Sequence, residues 1–268
     1  MSKKWMLLIA VLAVSSLVLA QTNQPTQEEA AALAAPSATI SCAYSFSSGS
    51  GNNYTQYCLT VNGNIVQFQR PSGVEYINYG VVTEGYGVCD LHSGAAYYDY
   101  ASGDSGNWSP TNLVSSTATS VKLSRVTSDG LWQLTQTITQ VNATAKSPGA
   151  VTVTMAIKNL TGITRTVYLL RFADVDAAGT TTNDFDYTLE TSYGLKPGSS
   201  WGLGLTNNTE TFSHMAFTQD VYYGPAPCNW SANVAPQPFQ GDGSIAHIYA
   251  IAVAKNATKT VILTYKPI

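Results

Sequence analysis

Residues 57–68 read Tyr57-Cys-Leu-Thr-Val61, Asn62-Gly63, Asn64-Ile-Val-Gln-Phe68. Two short runs rich in β-branched and aromatic residues flank an Asn-Gly pair, the dipeptide that best supplies the two positive φ angles of a type I′ hairpin turn. With that turn, Leu59 faces Val66 and Tyr57 faces Phe68. These pairs share a dry face with Val61, while Gln56, Thr60, Gln67 and Gln69 make a wet one. Ile65 is the one misfit.

The same two-residue period returns in residues 151–157, which place Val151, Val153, Met155 and Ile157 inward and Thr152 and Thr154 outward. Asn159 to Gly162 then turn the chain. The partner run, 165–173, is apolar on both sides from Val167 to Leu170, as expected of a strand covered by a second layer. Residues 245–254 read likewise, and 121–126, 131–141 and 259–265 add further strands between Gly/Asn turns. Helix-period stretches are essentially missing. The expected fold is all-β, a large two-sheet antiparallel β-sandwich.

Ahead of these strands, Lys3 and Lys4 precede an apolar run that ends in Val18-Leu19-Ala20. This is the layout of an export signal cleaved after Ala20, and the run is too short for a spanning helix. The expected organisation is a signal peptide at 1–20, a flexible leader at 21–38 and one β-sandwich domain at 39–268. The mature protein is expected to be secreted, extracellular or periplasmic, with no membrane span after signal cleavage.

Charged residues are 11% of the chain, against about 25% in an ordinary globular domain. Hydroxyls and amides must therefore hydrate the surface. A net charge of −3 without a basic cluster argues against nucleic acid as a partner. The four cysteines, Cys42, Cys58, Cys89 and Cys228, contain no Cys-x-x-Cys pair, so disulfides are favoured over a metal. Three connectivities are open. Cys42 with Cys58 and Cys89 with Cys228 is preferred, because the first pair would staple a Gly/Ser/Asn-rich loop.

Three stretches carry chemistry. Gly103-Asp-Ser-Gly106 looks like the nucleophile loop of chymotrypsin-like proteases, but the only earlier histidine, His92, lies thirteen residues before Ser105 and the rest of that pattern fails. A Gly-rich turn is the better reading. Residues 174–186 open like a calcium-binding EF-hand loop, with Asp174, Asp176 and Gly179 at its first, third and sixth positions. Its twelfth position, however, is Phe185 instead of glutamate. A calcium site, if formed, would use Asp174 and Asp176 with Asp184 or Asp186. Finally, residues 83–108 pack Glu84, Asp90, His92, Asp99 and Asp104 among Tyr86, Tyr97, Tyr98, Tyr100 and Trp108. Flat rings beside acids suit sugar recognition, since C–H faces stack on rings while hydroxyls bond carboxylates. The candidate ligand residues are Tyr98, Tyr100, Asp104 and Trp108, with Trp108 expected at the surface because turn residues surround it. No catalytic residue can be assigned. His247, on a strand face with Ile245, Tyr249 and Ile251, reads as a core or rim residue.

Residues 57–68 and 167–176, with Asn183-Asp184, resemble segments of secreted proteins of unassigned activity predicted from environmental bacteria. That resemblance implies export and a β fold. The strand pattern is also weakly similar to galactose-mutarotase-like sandwiches, whose catalytic His and Glu do not map onto this sequence. The expected function is a carbohydrate-binding or surface-binding module, for a glycan or cell-surface polymer. The alternatives are a carbohydrate-active enzyme using acids among Glu84, Asp90, Asp99 and Asp104, and a cell-surface structural or adhesive protein.

Overall fold

The computed structural model describes residues 42–78 and 83–268. The expected signal peptide and leader lie outside these residues. The strands form three antiparallel sheets. A three-stranded sheet contains β1 (Tyr44–Ser48), β2 (Thr55–Leu59) and β3 (Ile65–Gln69). A five-stranded sheet runs β14 (Ser213–Gln219), β16 (Ser244–Val253), β10 (Arg165–Asp174), β4 (Glu84–Asp90), β5 (Ala95–Asp99). A nine-stranded sheet runs β15 (Phe239–Gly241), β11 (Asn183–Tyr187), β12 (Thr191–Leu195), β13 (Gly202–Asn207), β17 (Thr258–Pro267), β9 (Ala150–Asn159), β8 (Trp132–Val141), β7 (Ser120–Val126), β6 (Asn112–Ser116). The all-β sandwich read from the sequence is the fold. Among the described residues, no helix is long and apolar enough to cross a membrane.

The residue 57–68 hairpin forms, with a different turn. Gly63 N–H donates to Thr60 O at 3.1 Å and Thr60 N–H to Asn64 O at 3.0 Å. Gly63 alone takes a positive φ, +86°, so the loop closes with one left-handed residue and a bulge instead of a type I′ pair. Tyr57 still opposes Phe68, but the register shifts after Cys58 and Leu59 opposes Ile65. Ile65 is thus no misfit, since both it and Val66 are buried, while Val61 sits at the turn 57% exposed. A side chain at position 63 would also crowd Gln136, Ile138 and Leu123 at 3.2 Å.

Strand β9 behaves as its alternation dictates: Val151, Val153, Met155 and Ile157 are fully buried and Thr152 and Thr154 are not. Each such burial contributes about 1.5–3 kcal/mol. In β10, Val167, Leu169 and Ala173 join the core between the sheets. Leu170 and Phe172 point to the other face, into a second cluster with Tyr100, Phe217, Ala246 and Ile248. The segment between β14 and β15 covers that outer face. Gly224 lies where a Cβ would meet the Tyr100 ring at 2.5 Å and Phe172 at 2.7 Å, and Pro227 lies 2.6 Å from a Cβ placed on Gly87. The disulfide Cys89–Cys228 pins this segment to β4, and Cys42–Cys58 ties the chain ahead of β1 to β2. Both pairings are those preferred from sequence, and two disulfides fit a protein that folds in an oxidising compartment.

Candidate functional site

The acids of residues 84–104 are placed first by strand alternation. In β4, Glu84, Tyr86, Val88 and Asp90 share a face, because Glu84 opposes Ala173 and Tyr86 opposes Arg171 on β10. That face looks into the sandwich, and each acid meets an arginine there. Glu84 Oε1 lies 2.6 Å from Arg171 Nη2, both side chains fully buried. Tyr265 donates its hydroxyl to the same oxygen at 2.6 Å, and Ile65 N–H donates to Oε2 at 2.5 Å. Asp90 Oδ2 accepts from Arg165 Nη1 at 2.5 Å and from Trp132 Nε1 at 3.3 Å. Arg125 Nη1 bridges Asp99 Oδ2 at 2.6 Å and Asp104 Oδ2 at 3.0 Å. Burial pushes the Glu84 and Asp99 carboxyls up, and the facing Arg171 and Arg125 pull them back. The Arg171 and Arg165 pairs lie within the five-stranded sheet, while Arg125 on β7, with Tyr265 on β17 and Trp132 on β8, reaches these acids from the nine-stranded sheet and ties the two together. The acids do not form an open pair of carboxyls flanking a cleft, as glycoside hydrolysis needs.

The aromatic residues divide. Tyr100 is buried beneath the 224–228 segment, with its hydroxyl donating to Pro225 O at 2.6 Å. Trp108 is also buried, contrary to the expectation from its turn-rich surroundings. A bridge to Thr127 carries it inward, where its ring meets Tyr86 and Tyr97 edge-on at 5.7 and 5.9 Å and lies under the Arg125 guanidinium. Turn residues before it only reverse the chain. Tyr98 is half-buried and stacks on Tyr100 with centroids 4.8 Å apart. Beside it is Asp104, whose side chain is 32% exposed. Burial and then the Asp104 charge raise the Tyr98 hydroxyl pKa. Of the four expected ligand residues, the structure therefore presents Tyr98 and Asp104 and buries Tyr100 and Trp108. Ser105 of the protease-like loop bonds to Tyr98 and Asn107.

The same outer face carries aromatics that the sequence reading missed. Tyr168, Tyr187 and Trp230 are half-buried and pack on the cluster around Phe172. Trp230 contacts Phe217 at 5.3 Å and Tyr168 at 6.4 Å. The signal was available in the cysteines: pairing Cys89 with Cys228 brings Trp230, two residues on, to the sheet that holds Tyr98 and Tyr168.

The expected calcium ligands divide too. Asp174, at the end of β10, and Asp176 come together, and Asp242 from the β15–β16 corner joins them. Asp184 and Asp186 stay away on β11, where Asp184 accepts from Gln240 at 2.7 Å and Asp186 from Tyr193 at 3.3 Å. The loop instead turns Asn183 inward, its amide bonding Val175 O, Thr180 O and Ala177 N–H. His247 is fully buried, as expected, with Nε2 3.0 Å from Leu205 O. His214 faces Glu190 at 3.2 Å, braced by Asn207.

No protein-family model matches the chain, and no characterised protein matches its sequence. Solved structures share its fold. A bacterial glucoamylase complexed with acarbose superposes with a TM-score of 0.53 at 12% identity, over 85% of this chain and 32% of that one. The chain thus spans about a third of the glucoamylase's length. Galactose-mutarotase-like proteins are among the neighbours, as anticipated. A putative aldose 1-epimerase from Escherichia coli K12 gives a TM-score of 0.48 at 10% identity over 84% and 99% of the two chains. A galactose mutarotase related enzyme from Lactobacillus acidophilus gives 0.43 at 8% over 84% and 97%. At these identities the likeness is one of fold.

Proposed function

We propose that the protein is an exported carbohydrate-binding module whose ligand lies on the outer face of the five-stranded sheet, across Tyr98, Tyr168 and Trp230 with Asp104 at the rim. The observation that carries this reading is the layering of that face. Half-buried rings sit on a bed of buried ones, Tyr100, Phe172 and Phe217, and the Cys89–Cys228 bridge holds the covering segment in place. A platform fixed in this way loses little side-chain entropy on binding, and its rings offer the flat apolar surface on which sugar C–H faces stack. The fold shared with part of a glucoamylase that holds acarbose supports carbohydrate as the ligand class. Binding is favoured over catalysis because Glu84, Asp90, Asp99 and Asp104 are all occupied by arginine. Export rests on the N-terminal Lys-apolar-small pattern and agrees with the two disulfides.

The test is a glycan array probed with residues 21–268. Saturable binding to a glycan class, lost after reduction of the disulfides, is the expected result. Absence of any glycan binding by folded protein would refute the proposal.

A further inference from the structure

The fully buried side chains of Glu84 and Asp90, and the nearly buried one of Asp99, each face an arginine. Asp174 does not. It is 3% exposed, its Oδ1 has no hydrogen-bond partner, and no Lys, Arg or His among the described residues pairs with it or with Asp242. Asp176, 1% exposed, lies two residues on, and Asp242 reaches in from the exposed corner between β15 and β16. One oxygen from each carboxylate lies within 4.8 Å of the other two.

An unpaired buried carboxylate is costly, and like charges beside it raise the cost. Burial, then Asp176 and Asp242, accordingly push the Asp174 carboxyl well above its usual range. Either a proton or a cation must offset this charge. The geometry favours a cation, since three carboxylate oxygens within 4.8 Å of one another can share one hard ion, and calcium, with its flexible shell of oxygens at about 2.3–2.6 Å, suits an irregular set of acids and water better than magnesium, which demands near-ideal octahedral geometry. We propose that Asp174, Asp176 and Asp242 bind a single calcium ion, with water completing its coordination from the exposed Asp242 side. The ion would clamp the end of β10 to the start of β16. Asp174 lies on the outer face of β10, two residues beyond Phe172, and the proposal does not rest on glycan binding.

Two readouts on the full chain test it. After chelation, calcium at a hundredfold excess over its Kd should raise the melting temperature by about 5–10 °C, and magnesium should not reproduce the shift. Burial, then the nearby Asp242 and Asp174 charges, raise the Tyr222 hydroxyl pKa, and with that ring beside the acids terbium bound here should emit on tyrosine excitation and be displaced by calcium. Asp242→Asn alters an exposed residue and should fold, yet lose both the shift and the emission. Equal melting in calcium and chelator without terbium emission would overturn the proposal and leave Asp174 neutralised by a proton. A calcium shift that survives Asp242→Asn would overturn it as well, and an equal shift with magnesium would overturn the calcium assignment.

Discussion

Replacing Arg171 with methionine tests whether the buried acids are structural. Arg171 is fully buried and donates to Glu84 Oε1, to Gln136 Oε1 at 2.6 Å and to Gly63 O at 3.1 Å. It thereby joins the five-stranded sheet to β8 and to the 57–68 hairpin. Removing one partner of a buried ion pair costs about 3–5 kcal/mol, and the acceptors left on Gln136 and Gly63 place this case near the top, about 5 kcal/mol. A domain of this kind has only about 5–15 kcal/mol in total. Adding Glu84→Gln removes the stranded charge while keeping an acceptor for Tyr265, so the double variant should regain about 2 kcal/mol over Arg171→Met alone. The sign with pH follows. Burial already raises the Glu84 pKa and Arg171 opposes that, so the single variant holds Glu84 protonated to a higher pH. Its deficit should shrink as pH falls below that raised pKa and grow as pH rises through it. Denaturant titration followed by tryptophan fluorescence at pH 5 and pH 7 reads all of this. An Arg171→Met variant within about 1 kcal/mol of the native chain, or a deficit untouched by Glu84→Gln, would refute the structural role.

Two further outcomes are expected. Burial lowers the His247 pKa to about 4, so the unfolded chain takes up a proton near pH 6.5 that the folded chain refuses. Stability should fall by about 2 kcal/mol between pH 7 and pH 5 on this account, and the His247→Gln variant should lack that share of the slope; an equal slope in both chains would count against it. Replacing Cys89 and Cys228 together with serine opens a loop of 139 residues, which the chain-entropy model values at about 5 kcal/mol. Calorimetry should show the loss, together with faster proteolysis of the 220–238 segment; unchanged melting would show that packing alone holds that segment.

What could be read from the sequence follows from where each signal is encoded. Alternation in residues 151–157 is a local pattern, and burial follows it residue by residue. The hairpin was legible as a hairpin, but its turn was not: Asn-Gly fits a type I′ turn, yet packing of Gly63 against Gln136, Ile138 and Leu123 accompanies the one-residue slip that buries Ile65. The acids were seen and their role was not, because Arg171 sits at an inward position of an apolar strand 87 residues from Glu84. Tyr98 and Tyr100 share a face by strand alternation, but only the distant segment that covers Tyr100 decides which ring remains accessible. Asp242 escaped notice for a similar reason, since β10 and β16 bring it to Asp174 from 68 residues away in the chain.

Sugar binding on the outer aromatic face is tested most directly by calorimetric affinity for the best array glycan in the native chain, Tyr98→Ala and Trp230→Ala. An aromatic contact contributes about 0.5–1.5 kcal/mol, so each variant should bind up to about tenfold more weakly. Tyr98, stacked at the surface of the bed, should be removable with little loss of melting temperature. Native affinity in both folded variants would show that the sugar does not lie on these rings.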